Sequence, residues 1–201
     1  MKIIETRTAP NARRVRIFLA EKGLELEREH RELDSLRGPE FTKLNPYQRV
    51  PILVLDDGTV IAETIAICRY LEELRPEPAL FGRGALGKAR VEMQHRRVEF
   101  GLYLFVQAAF RHLHPSMAAL ETPQIPAWGE ANKGKALAAL ELLDQQLATT
   151  RYLAGDDYSV ADITALVIVD FMRPARITRP PELTHVERWY KDVTARPSAT
   201  A

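Results

Sequence analysis

Hydrophobic positions along the chain follow two different periods, and the change comes near residue 78. Lys2-Ile3-Ile4-Glu5 reads as a short strand, broken by Thr8-Ala9-Pro10-Asn11, where Thr8 or Asn11 can cap a helix. Val15, Phe18, Leu19 and Lys22 then recur at helical spacing, and Gly23 is a stop signal. Leu24, Leu26, Arg28 and His30 alternate as a second strand, so the opening is a βαβ unit with parallel pairing and a right-handed crossover. Ser35–Leu44 predicts a loop with a short helical piece. Two apolar runs, Ile52–Leu55 and Thr59–Ala62, flank Asp57-Gly58, which favours a type I′ hairpin turn. Pro51 cannot donate to a ladder, so it belongs at a strand's start or on an edge, leaving the Val50 backbone open to an outside partner. Thr64, Ile67, Cys68, Leu71 and Leu74 share one face of the helix that follows.

Arg75-Pro76-Glu77-Pro78, with Gly82 and Gly84 after it, is the expected boundary. It divides an α/β domain at 1–77 from an all-α domain at 85–201, with 78–84 as linker. In the second part Val91, Gln94, His95, Val98, Leu102 and Phe105 trace one stripe of a long helix over Leu86–His114, which Pro115 must end or kink. Trp128–Leu147 predicts a helix with Leu137, Leu140, Leu143 and Leu147 inward. A further helix opens with Ser159-Val160-Ala161-Asp162, the spacing of a capping box, and a last one spans Glu182–Ala195.

Composition narrows the function. The 201 residues carry a formal net charge of +1, which does not support a general nucleic-acid or acidic-membrane footprint. Cys68 is the single cysteine, so an internal disulfide, a Cys-x-x-Cys pair and a cysteine metal cluster are excluded. No stretch reads as a membrane span or signal peptide, and a cytoplasmic location is expected. Exposed backbone at Val50 beside a helix starting at Glu63-Thr64 suits a peptide that carries a carboxylate. As an ordinary thiol among apolar neighbours, Cys68 reads as a small core residue.

The ordered set of βαβ unit, Val50-Pro51 strand start, hairpin, Glu63-Thr64 helix start, proline linker and helical remainder resembles the cytosolic glutathione transferases. Ala9-Pro10-Asn11 followed by Arg13-Arg14-Val15-Arg16 is most similar to bacterial and fungal members of the Gtt2-like class. The resemblance implies a thioredoxin-like N-terminal domain that binds glutathione, a helical C-terminal domain, a homodimer, and detoxifying conjugation of glutathione to hydrophobic electrophiles without a metal. It also implies a cis Val50–Pro51 bond, pairing of the Val50 backbone with the cysteinyl unit, and the γ-glutamyl end on Glu63 and Thr64. Gln48 and Arg49 would meet the glycyl end, and Asp162 is assigned to structure.

The reacting species must be the thiolate, and lowering a thiol pKa by two units needs about 2.7 kcal/mol of preference for the anion. Family members usually place Tyr, Ser or Cys after the first strand, and Thr6–Ala12 contains none of these. Thr8 and Asn11, with the dipole and N–H groups of the following helix, are the expected substitutes: roughly 0.3–2 kcal/mol from the dipole and about 1.5–3 from a hydrogen bond to the anion. Resemblance to the Gtt2-like class adds His112 and Ser116, four apart and on one face if the helix continues, holding a water against the sulfur. Tyr103, Phe110 and Met117 are candidates for the electrophile pocket. A glutathione-dependent peroxidase or reductase and a non-catalytic binding protein are the alternatives.

Overall fold

The computed structural model describes every residue from Met1 to Ala201. It forms two compact units: Met1–Ala79 together with Pro197–Ala201, and Leu80–Arg196.

In the first unit the order is β1 (Lys2–Glu5), α1 (Pro10–Lys22), β2 (Glu27–His30), α2 (Pro39–Leu44), β3 (Ile52–Val54), β4 (Val60–Ala62) and α3 (Thr64–Leu74). The four strands make one mixed sheet in the order β2-β1-β3-β4, with β1 and β2 parallel and the other pairs antiparallel. This is a thioredoxin-like arrangement. Because side chains alternate across a pleat, Ile4 and Ile52 go to one face, where Leu36 and Phe41 complete a buried cluster. Ile3 and Leu53 point the other way and are also buried, so the sheet is covered on both sides. Helices α1 and α3 pack together, and α1 contributes Ala12, Val15, Ile17, Phe18 and Leu19 to the core.

Three expectations change here. Strand β3 is not an edge: it lies between β1 and β4, and Pro51 stands one residue outside its ladder, so no sheet hydrogen bond is lost. The hairpin turn is not type I′. Gly58 alone has a positive φ, of 86°, and Leu55 N–H bonds to Thr59 C=O at 2.8 Å around a three-residue loop. Asp57 Oδ1 accepts from Thr59 N–H at 2.8 Å, and that bond holds its carboxyl below the usual range. Finally, neither Thr8 nor Asn11 caps α1; Ala9 is the N-cap and Pro10 the first helical residue, whose missing N–H would have had no partner there.

Two polar clamps tie the unit together. Lys22, fully buried, pairs with Glu72 of α3 and donates to the carbonyls of Pro76 and Pro78. The returning segment Pro197–Ala201 lies on α1, where Arg13 Nη2 donates to Ala199 C=O at 2.9 Å and Ser198 Oγ bonds to Glu21.

The second unit is helical: α4 (Gly84–Val98), a π-turn over Glu99–Tyr103, α5 (Leu104–Leu113), α6 (Pro126–Leu147), α7 (Val160–Phe171) and α8 (Thr184–Thr194). The π-turn explains a shift in the hydrophobic stripe. Val91, Gln94, His95, Val98 and Leu102 are buried as expected, but the wider turn then advances the inner face by one position. Val106 and Ala109 are buried, and Phe105 is only partly so. On α6 the inner positions are Gly129, Asn132, Ala136, Leu140 and Leu147, with Leu137 and Leu143 half-buried. Gly129 is required by packing: a Cβ there would sit 2.5 Å from Leu113 Cγ.

Helix α7 is buried from Val160 to Val169, with Asp162 and Thr164 as the polar residues of that stretch, as suits a central helix. Its Ser159–Asp162 capping box does more than cap. Asp162 Oδ2 accepts from Ser159 N–H and Oγ (3.0 and 2.9 Å), and Oδ1 accepts from Leu153 N–H and Trp189 Nε1 (3.0 and 2.9 Å). Burial nevertheless pushes the Asp162 carboxyl above its ordinary value, with these bonds opposing. Helices α6 and α8 cap each other. Asp144 Oδ1 takes the N–H groups of His185 and Val186, while Arg188 donates to the carbonyls of Leu147, Thr150 and Arg151. No helix is long and apolar enough to cross a membrane.

Candidate active site

Strand register assembles the site in the first unit. Ile4 of β1 is opposite Ile52 of β3, and Ile52 is opposite Ala62 of β4. With β3 running against both neighbours, the C-terminal ends of β1 and β4 and the N-terminal end of β3 lie at the same end of the sheet. Three segments therefore leave side by side: Thr6–Asn11 after β1, Val50-Pro51 before β3, and Glu63-Thr64 after β4. Neighbouring strands are about 4.8 Å apart, so the outer two segments are separated by about 10 Å.

The middle segment is held open. Asn45, buried, donates from Nδ2 to Arg49 C=O (2.8 Å) and accepts the Tyr47 N–H at Oδ1 (3.1 Å), and Gln48 N–H bonds back to Asn45 C=O (2.9 Å). This folds 45–49 into a tight loop in which Gln48 takes a φ of 54° and Arg49 is exposed. The Val50–Pro51 bond is cis. The Val50 side chain packs on the Ile4–Phe41 cluster, while its N–H and C=O take part in no hydrogen bond within the chain. Asn45 carried no motif that singled it out in the sequence.

On one side, α3 begins without a cap. Glu63 has φ 69° and ψ 121° and makes no capping bond, no acid lies in the helix's first turn, and the Thr64 side chain is buried. A non-glycine residue in that backbone region costs of order 1–3 kcal/mol. Helix N-termini present unpaired N–H groups, and such groups suit a carboxylate.

On the other side lies the start of α1, which has neither a side-chain cap nor an acid in its first turn. Thr8 is exposed, and Asn11 Oδ1 accepts from Arg14 at 3.2 Å. The loop before the helix is fastened from below. Buried Glu5 accepts from Arg16 Nη1 (3.1 Å), Arg16 Nη2 donates to Arg7 C=O (3.2 Å), and Thr6 Oγ1 donates to Arg31 C=O (3.0 Å). Glu5 Oε1 has no hydrogen-bond partner, and His30 Nδ1 lies 3.7 Å away. Nothing in the sequence marks Glu5, since an acid at the end of a short strand is ordinarily solvated. Cys68 takes no part: it is buried on α3, and desolvation pushes its thiol up to about 12.

In the second unit the expected His112–Ser116 pair does not form. Helix α5 stops at Leu113, His114 is extended, and Pro115–Met117 is a separate 3₁₀ turn, so positions four apart no longer share a face. His112 Nδ1 accepts the Ile125 N–H (3.1 Å), with Nε2 3.8 Å from Glu121. Ser116 Oγ is instead 2.7 Å from His114 Nδ1, and the His114 ring stacks on Phe110 at 4.8 Å. Phe110 also meets Phe171 edge-on at 4.8 Å. Tyr103 is buried and Met117 half-buried. No group of three or more His, Cys, Asp or Glu side chains is placed to hold a metal.

Comparison with known proteins bears on the whole chain. Residues 8–74 match the glutathione S-transferase N-terminal domain and residues 103–197 the glutathione S-transferase C-terminal domain. Glutathione S-transferase 2 of Saccharomyces cerevisiae is 36% identical over 203 residues, covering 98% of this chain and 87% of its own. The crystal structure of Gtt2 from the same yeast superposes with a TM-score of 0.94 at 35% identity, covering 100% of this chain and 99% of that one. A glutathione S-transferase domain-containing protein of Marinobacter aquaeolei VT8 also gives 0.94, at 39% identity, covering 98% of this chain and 99% of its own.

Proposed function

We infer the chemistry of this site from one premise: the chain belongs to the glutathione S-transferase family. The co-substrate of the family is glutathione, and we propose that it lies across the sheet end with its cysteinyl backbone on the Val50 N–H and C=O. The γ-glutamyl carboxylate is received by the Thr64 hydroxyl and the N–H groups opening α3, with Glu63 beside the amino group. Gln48 and Arg49 meet the glycyl carboxylate. Register is the observation that supports this reading, since it brings the Val50 backbone between the starts of α3 and α1 at one end of the sheet.

The thiol then falls towards the start of α1. There the Thr8 hydroxyl, the Asn11 amide and the helix dipole stabilise the anion, which attacks the electrophilic carbon of a hydrophobic compound. The sulfur–carbon bond forms as the leaving group departs with its electron pair. Tyr103, Phe110 and Met117 remain our candidates for the electrophile's apolar contacts, and His112 and Ser116 for a supporting role at the sulfur. Ser116 would act with His114, its observed partner, rather than with His112. A homodimer working in the cytoplasm, in detoxification, fits the family. The peroxidase alternative is not favoured by relatives whose names are those of glutathione S-transferases.

Retention on immobilised glutathione, conjugation of a generic aryl halide, and the pH dependence of thiolate formation in bound glutathione test the proposal. Turnover is expected, and Thr8→Val should raise the thiol pKa by about one unit or more, the worth of one hydrogen bond to an anion. Retention without turnover would return the non-catalytic reading. An unchanged profile in Thr8→Val would remove Thr8, and a shift in Ser116→Ala matched by His114→Ala would place that pair at the sulfur.

A further inference from the structure

The segment after α7 reads Arg173-Pro174-Ala175-Arg176-Ile177-Thr178-Arg179-Pro180-Pro181. Ala175 and Ile177 are buried, and prolines bracket the run. The backbone is thus anchored while the arginines, three residues apart, all line one pocket of about 680 Å³. Val169, Met172 and Ile177 give it an apolar wall, and Asp170, Thr178 and Tyr190 complete it. Arg179 is held in place: its Nη2 donates to Glu187 Oε1 and Oε2 (2.6 and 3.1 Å), and its guanidinium lies 4.2 Å over the Tyr190 ring. Tyr190 in turn donates to Asp170 Oδ1 at 2.5 Å, which orients the one acid of the lining. Arg173 and Arg176 have no ion pair. With Glu187 on Arg179, the three arginines meet two acids, which leaves Arg173 and Arg176 as the unpaired cations facing Asp170.

A basic residue beside a helix C-terminus is favoured by the helix dipole, which accounts for Arg173 without any ligand. Arg176 has no such explanation. It closes a turn, with its N–H on Arg173 C=O (3.0 Å) and Ile177 N–H on Met172 C=O (2.9 Å), at a φ of 56°. Glycine takes that conformation without steric penalty and arginine does not. Arg176 thus adds a second unpaired guanidinium to the pocket lining at a position where glycine would cost less.

We propose that this pocket binds a tetrahedral oxyanion, the phosphate or sulfate group of a small molecule, between Arg173 and Arg176 with Arg179 as the rigid flank. Planar guanidinium forks suit such oxygens. The site is separate from the glutathione cradle in the first unit and stands whether or not that assignment holds.

Thermal unfolding of the full chain, titrated with inorganic phosphate, sulfate and phenyl phosphate against chloride at matched ionic strength, tests it. A ligand that binds only the folded state raises Tm with concentration, so phosphate is expected to raise Tm where chloride does not. Arg176→Gly should unfold at the same or a higher temperature in chloride yet bind phosphate about tenfold more weakly, as should Arg173→Gln. A larger shift with phenyl phosphate would identify an ester whose tail uses the Val169–Met172–Ile177 wall; equal shifts would identify the free anion. No anion-specific shift in the parent, or the same shift in parent and Arg176→Gly, overturns the proposal.

Discussion

Helices α7 and α3 both start beside a hydroxyl and a carboxylate, Ser159 with Asp162 in one and Thr64 with Glu63 in the other. At α7 the carboxylate is matched inside the protein: it takes two bonds from Ser159 and reaches out to Leu153 and Trp189. At α3 neither side chain caps, and the backbone of Glu63 sits in a costly conformation. The same residue types therefore serve stability where their bonds close within the fold and, in the function we propose, binding where they are left open. What separates the two is not the local sequence but whether a tertiary partner arrives.

That contrast can be broken experimentally. The largest effect is expected from Asp162→Ala, which strands four buried donors and should cost about 3–5 kcal/mol in denaturant unfolding. Glutathione affinity of the folded fraction should stay the same. This is more than a cap is worth, about 0.5–2 kcal/mol, because Leu153 and Trp189 lose their acceptor as well. Thr64→Ala is the converse: we expect stability to change by less than about 1 kcal/mol, while glutathione binding weakens by about 1.5–3 kcal/mol, the value of a hydrogen bond to a charged group. An unfolding cost larger than the binding cost would mean that Thr64 is structural after all.

Glu63→Gly sharpens the point further. Releasing a strained φ should raise stability by about 1 kcal/mol and lower glutathione affinity, so that the two measurements move in opposite directions. The smallest expectation concerns Cys68. With its thiol pushed up to about 12, the native protein should take up no thiol reagent at pH 8, and the unfolded protein one equivalent. Labelling of the folded state would place Cys68 in an opening part of α3 and weaken the view of that helix as a rigid platform.

Element order was legible from periodicity because both units are built on strong local patterns, and the Val50-Pro51 and Glu63-Thr64 segments were legible because turn and breaker residues frame them. What escaped the sequence is non-local. That β3 is internal follows from β1 pairing on the side away from its hairpin partner β4, which no property of Pro51 reveals. The π-turn at Glu99–Tyr103 has no residue signature, yet it moves burial from Phe105 to Val106. His112 and Ser116 looked like partners only while the helix was allowed to run on; its end at Leu113 hands Ser116 to His114. Glu5 and Asn45 matter through the loops they hold, and such roles exist only once the chain has folded.

The segment Pro197–Ala201 has a consequence for how the protein is made. Its bonds to Arg13 and Glu21 join residues 186 and 177 positions apart. During synthesis, residues 1–79 leave the ribosome with this face of α1 uncovered, and the whole second unit must follow before the covering segment appears. Closing so long a loop adds only slowly to the entropic cost, so the delay is one of timing rather than of final stability. A chain stopped between residues 79 and 197 would hold all the strands of the sheet yet leave this face of α1 uncovered, a state that a chaperone has reason to recognise.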